Sequence, residues 1–239
     1  MLAIFIDFFI GTNMMRETQK FYPHAMTSDQ KKTKTDQKYY TEFLNVKALS
    51  SMHPEIKKLK TKNSSHAAHG NKNWRSSFVL MDYLKNDPPK SREKILDIGC
   101  GWGLVSIFLS KNFNNEVHSI DIDPSVVPFF SLQTSINKTD TSIKIKNFTE
   151  YTKTKISEYG LIVGADICFW DEMTLPLLKF IKQALSSNVR QISIADPGRP
   201  PFWDLAEKCA KIGGEVFTRR INEPIKTEKH VLVINNDHK

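Results

Sequence analysis

Lys94-Ile-Leu-Asp-Ile-Gly-Cys-Gly-Trp-Gly103 is the stretch that decides the fold. An apolar run from Ile95 to Ile98 carries one acid, Asp97, and leads into glycines at alternate positions, Gly99, Gly101 and Gly103. A helix-compatible segment follows from Leu104 to Lys111. A strand that passes through a glycine turn into a helix is how an α/β sheet builds a nucleotide-sized crevice at a strand's carboxyl end. The spacing is G-x-G-x-G, not the G-x-G-x-x-G of dinucleotide folds. An acid two residues before the first glycine suits a ligand with a cationic amino-acid end better than a pyrophosphate.

Strand and helix signals alternate downstream of this motif. Strands are expected at 94–98, 116–120, 142–147, 160–165, 190–195, 215–219 and 229–235, and helices at 103–112, 124–137, 150–157, 172–186 and 201–212. Alternation of this kind implies a doubly wound, mostly parallel sheet. The last two strands lack an intervening helical pattern, which predicts an antiparallel hairpin at the end of the sheet. Upstream, His53–Lys60 reads as a short helix with Pro54 in its first turn. Trp74–Leu84 reads as a second helix, stopped by Asp87-Pro88-Pro89.

The chain has 239 residues and a formal net charge of +8. That length gives one core with room for an extension. Residues 1–93 contain 16 Lys/Arg against 9 Asp/Glu, so nearly all the excess charge precedes the glycine motif. Residues 11–50 are polar and rich in Lys, Thr and Gln, which predicts a flexible basic extension over 1–50 and one folded domain over 51–239. A basic leader admits an acidic protein or a nucleic acid as partner, or a merely solvated arm. Leu2–Ile10 is apolar but interrupted by Asp7 and too short to span a bilayer; it reads as a poor signal peptide, a surface-binding helix or an over-extended start, and neither translocation nor a membrane partner is expected. Cys100, Cys168 and Cys209 show no metal-ligand spacing, and a reducing cytosol is the simple inference. His66 and His69 form an i, i+3 pair without a third ligand nearby, so no metal is expected.

Asp121 closes the second expected strand, 18 positions after Gly103, where an acid can accept both ribose hydroxyls of a nucleoside. Asp123 is its rival, but Pro124 follows it, which marks Asp123 as a helix-start acid. The third strand ends at Lys146-Asn147-Phe148. The fourth ends in Asp166-Ile-Cys-Phe-Trp170, and the fifth in Asp196-Pro-Gly-Arg-Pro200.

A doubly wound sheet closed by a hairpin, together with the acid-plus-glycine turn, resembles the class I (seven-β-strand) S-adenosylmethionine (AdoMet) methyltransferases, a Rossmann-like fold. The Asp166-x-x-Phe169 element, Trp74 and the Asp196–Pro200 sequence are similar to those of the family-16 protein lysine methyltransferases, notably the branch acting on the electron-transfer flavoprotein β-subunit. The resemblance spans about residues 65–235. It implies AdoMet as cofactor, held by Trp74, Asp97, Gly99, Cys100, Gly101, Gly103, Asp121, Asn147, Phe148 and Asp166. It implies Asp166, Phe169 and Trp170 at the catalytic site, with a protein lysine as acceptor; a cytoplasmic location, on the cysteine usage, and a monomer are also expected. The acid often found in the family at the third strand's end is replaced here by Asn147. Three alternatives stay open: a small-molecule amine or hydroxyl as acceptor, a nucleic acid as acceptor, and a silent AdoMet-binding module. The fourth strand lacks the Asn-Pro-Pro-Tyr type of sequence used on base amines, and no Pro-Cys pair makes Cys168 a nucleophile.

Overall fold

The computed structural model describes residues 39–62 and 75–236. Trp74, His66, His69 and the apolar Leu2–Ile10 stretch lie outside the described residues. In chain order the elements are β1 (Tyr40–Phe43), β2 (Val46–Leu49), α1 (Pro54–Lys62), α2 (Arg75–Asn86), β3 (Lys94–Ile98), α3 (Leu104–Asn112) and β4 (Glu116–Asp121). They continue with α4 (Val127–Asn137), β5 (Ile143–Ile145), α5 (Lys153–Ile156), β6 (Leu161–Ala165) and α6 (Thr174–Leu185). The last four are β7 (Gln191–Asp196), α7 (Pro200–Ala210), β8 (Gly214–Ile221) and β9 (Thr227–Asn235).

Seven strands form one sheet in the order β5-β4-β3-β6-β7-β9-β8. The first five are mutually parallel, and β9 runs antiparallel to both β7 and β8. The expected doubly wound sheet with a terminal hairpin is therefore present, with β9 inserted between β7 and β8. Chain order reverses on either side of β3, between β4 and β6. That switch point places a crevice at the carboxyl ends of these strands.

Alternate residues of β3 face opposite sides. Leu96 and Ile98 join the core beneath α6 and α7, with Ile162, Ile192, Phe180 and Phe202. Ile95 joins the core beneath α2 and α3, with Val163, Phe78, Val105 and Phe108. Each such side chain contributes about 1.5–3 kcal/mol when fully buried. Burial on both faces explains why these strands read as continuous apolar runs.

Two elements are shorter than their sequence signals. The third strand occupies 143–145 rather than 142–147, and the helix expected over 150–157 is a single turn, Lys153–Ile156. Between them a 3-10 turn, Phe148–Glu150, is closed by a capping box from Asn147 and Glu150, which takes up residues that would otherwise extend either element.

Residues 40–49 differ from the expected flexible arm. Here β1 and β2 pair as an antiparallel hairpin, and Val46, Ala48 and Leu49 are buried. Polar side chains of α4 bind the hairpin's backbone. Asn137 Oδ1 accepts from Lys47 N at 2.8 Å and its Nδ2 donates to Lys47 O at 2.9 Å. Gln133 Oε1 accepts from Leu49 N at 3.1 Å, and its Nε2 donates to Lys47 O. Leu49 and Ile56 of α1 then pack with Trp102 and Phe129 behind the glycine turn.

Candidate functional site

The glycine turn joins β3 to α3. Cys100 N donates to Ile120 O at 3.0 Å, and Gly103 N donates to Cys100 O at 2.8 Å. Gly101 has φ +54°, and a Cβ built on it would meet no atom within 4 Å. Its open face is therefore a cradle that a ligand can approach at backbone distance. Gly99 has a different reason to be glycine: a Cβ there would lie 2.6 Å from Ile167 Cγ2. The loop that follows β6 thus packs directly on the glycine turn. Trp102, although inside the motif, is buried and stacks on Phe129 with ring centres 4.9 Å apart.

Two acids sit at this turn. Asp97 is buried, and its Oδ2 accepts from Ser106 Oγ at 2.5 Å, which itself accepts from Ser119 Oγ at 2.7 Å. Burial pushes the Asp97 carboxyl up to about 7, against the Ser106 hydrogen bond, and the nearby Asp121 charge pushes the same way. Asp121 Oδ2 accepts from Gly101 N at 2.9 Å and its Oδ1 accepts from Asp123 N at 2.9 Å, so it ties the end of β4 to the turn. Burial raises the Asp121 carboxyl as well. Neither acid has a cationic side-chain partner within ion-pair distance among the described residues. Asp123 accepts from Ser125 N at 2.8 Å and caps the 3-10 turn at Pro124, the helix-start role expected of it. Cys100 is also raised by burial and by these two acids, so it stays a neutral thiol.

Beside Asp121, Ile122 is 66% exposed, an apolar side chain held at the crevice edge. Sequence reading passed over it. Its signal was an isoleucine just beyond the strand's last paired residue. Asn147 is less available than expected, because its Oδ1 accepts from Thr149 N at 3.0 Å as a turn cap. Phe148 packs edge-on against Phe180 at 5.3 Å between ring centres.

Across the crevice, β6 ends in Asp166, which is buried and has φ +57°. Its Oδ1 accepts from Arg199 Nη2 at 2.9 Å, and its Oδ2 accepts from the Ser76 backbone amide at the start of α2, at 3.3 Å. Burial raises this carboxyl, and Arg199 and Ser76 oppose the rise. Asp196, at the end of β7, accepts from Gly198 N and Arg199 N on Oδ1, each at 2.9 Å. Its Oδ2 accepts from Arg199 Nη1 at 2.5 Å. The guanidinium also lies 4.2 Å from the Phe169 ring centre. Phe169 and Trp170 are neighbours at 5.8 Å between ring centres, and Trp170 is about half exposed. Cys168 is buried, and burial pushes its thiol far up, which makes it core packing and not a nucleophile.

Of the residues singled out in the sequence, the fold brings Asp97, the glycines, Cys100 and Asp121 to one wall of the crevice. It brings Asp166, Phe169 and Trp170 to the other, joined through Ile167 on Gly99. No group of three or more potential metal ligands occurs among the described residues.

A family profile described as lysine methyltransferase matches residues 54–199. The human electron transfer flavoprotein beta subunit lysine methyltransferase is 27% identical over 131 residues, covering 54% of this chain and 49% of that protein. The chain thus spans about half the length of the curated relatives it matches. Among solved structures, a SAM-dependent methyltransferase from Agrobacterium tumefaciens superposes with TM-score 0.58 at 11% identity, covering 83% of this chain and 70% of that one. The magnesium protoporphyrin IX methyltransferase of Synechocystis PCC 6803, with bound SAM, does so with TM-score 0.52 at 12% identity, covering 75% and 95%. At such identities these two structures are alike in fold.

Proposed function

The chain belongs to the lysine methyltransferase family, whose cofactor is AdoMet, and on that premise we propose that it transfers a methyl group from AdoMet to the side-chain amine of a protein lysine. The observation that carries this reading is the contact of Ile167 with Gly99, because it sets the Asp166-x-x-Phe169 loop directly against the glycine turn. Donor and acceptor walls then share one crevice.

The residues present fit the cofactor. The open face of Gly101 offers backbone approach, and two acids without a cationic side-chain partner among the described residues suit a ligand bearing an ammonium and a sulfonium. Asp97 and the 99–103 backbone would hold the methionine end, Asp121 the ribose, and Ile122 an apolar face of the base. When bound, AdoMet supplies a methyl group activated by positive sulfur.

Methyl transfer is an in-line displacement, so positioning is the protein's main task. Free lysine has a pKa of about 10.4 and must lose a proton to water before its nitrogen attacks; the new N–C bond would form as the sulfur–methyl bond breaks, with S-adenosylhomocysteine as the leaving group. Phe169 and Trp170 favour the neutral amine by desolvating it. The Asp166 carboxylate is engaged by Arg199 and the start of α2, so its part is to hold the loop and not to act as an unpaired base. The test is incubation with tritiated AdoMet and cell extract, followed by hydrolysis of the protein fraction. Methylated lysine is expected, and label confined to RNA or small molecules overturns the reading.

A further inference from the structure

One guanidinium grips both ends of the acceptor loop. Arg199 donates through Nη2 to Asp166 and places its face 4.2 Å from the ring centre of Phe169. Asp166 and Phe169 are the first and last residues of the 166–169 segment. The anchor is itself fixed: Nη1 donates to Asp196, and the backbone amides of Gly198 and Arg199 both donate to the same carboxylate. Directly after Arg199 come Pro200 and Pro201, the first residues of α7, which pin the backbone there. β6 and β7 are adjacent parallel strands, so this side chain crosses from the end of one to the loop of the other.

We infer that Arg199 is the positioning residue of the acceptor loop, acting through Asp166 and Phe169 on where the amine sits. This rests on the reading of the 166–170 loop as the acceptor wall. The guanidinium suits the task because its planar fork meets two carboxylates while its face stacks on an aromatic ring. A lysine at this place has a compact ammonium without the planar fork or the flat face, so it cannot pair with two carboxylates and stack on the Phe169 ring in the same way. An ion pair that merely stabilised the fold would, when cut, weaken folding and cofactor binding together. A positioning residue, when altered, slows transfer by much more than it lowers AdoMet affinity, because its bonds run to the 166–169 segment and to Asp196.

The experiment compares Arg199→Lys and Arg199→Met with the unmodified full chain at saturating AdoMet. Amide exchange is followed in 166–170 and, as control, in 99–103. Exchange in 166–170 is expected to accelerate at least about tenfold in both variants, and by a smaller factor in the glycine turn that Ile167 touches. Initial transfer of labelled methyl to total extract is expected to fall at least about tenfold, with the AdoMet dissociation constant within about threefold. Unchanged exchange in 166–170, or wild-type transfer by Arg199→Lys, overturns the inference. If Arg199→Met does not fold, Arg199→Lys decides, since it keeps the charge. If the unmodified chain labels only RNA, the lysine reading falls, while loop exchange and the rate on RNA still judge Arg199.

Discussion

Gly101 and Asp97 separate what the fold needs from what the ligand needs. A side chain at Gly101 meets open space, so Gly101→Val costs the fold mainly the strain of its left-handed backbone, about 1–2 kcal/mol. The same substitution fills the cradle, and AdoMet affinity should fall more than about 100-fold, or over about 2.7 kcal/mol, by calorimetry. Asp97 supplies a pH signature. Burial raises its carboxyl to about 7, so in the free protein its contribution to stability is full below the ordinary value near 4 and is lost as pH rises through about 7. A cationic ligand favours the ionised form. AdoMet affinity should therefore rise by up to about tenfold per pH unit below 7 and level off above it. Asp97→Asn should bind more weakly and lose that slope. An equal slope in both proteins would remove Asp97 from the cofactor site.

At the scale of elements, the parallel strands were legible because burial on both faces leaves short runs that are apolar or nearly so, as in Leu161–Ala165 and, with its one acid, Ile95–Ile98. The β1–β2 hairpin was not legible. Its strands are only four residues each and sit at the end of a polar stretch, and the groups that hold it, Gln133 and Asn137, lie some ninety residues away. The same limit applies to the site. Asp97 and Asp121 could be read from their distance to the glycines, whereas the reach of Arg199 to both Asp166 and Phe169 exists only once β6 and β7 lie side by side. Asn147 illustrates the reverse case: its place at a strand end suggested a ligand contact, and the turn claims its oxygen as a cap. The hairpin yields a prediction of its own. Asn137→Ala removes the side-chain acceptor of Lys47 N and one of the two donors to Lys47 O, Gln133 keeping the other, and denaturant unfolding should show a loss of about 1–3 kcal/mol. A loss of under about 0.5 kcal/mol would mean that Asn137 does not hold the hairpin.

For the whole molecule, the site is spread over the switch point of a single sheet, so ligand binding should stabilise the domain as a unit. At 100 times its dissociation constant AdoMet adds about 2.7 kcal/mol, which should raise Tm by about 5–10 °C in a chain of this size. Charge is distributed unevenly over the molecule, with the basic excess before Lys94 and near balance after it. No helix among the described residues is long and apolar enough to cross a membrane. The central claim joins a donor wall at Gly99–Gly103 to an acceptor wall at Asp166–Trp170, with a protein lysine between them. It is tested most directly by giving the protein AdoMet with a heavy-isotope methyl group and whole cell extract, then mapping the modified sites by mass spectrometry. Heavy methyl groups are expected on lysine side-chain nitrogens, and are expected to be absent with Asp121→Ala. Heavy methyl groups found only on nucleic acid, on other side chains or on small molecules would contradict it.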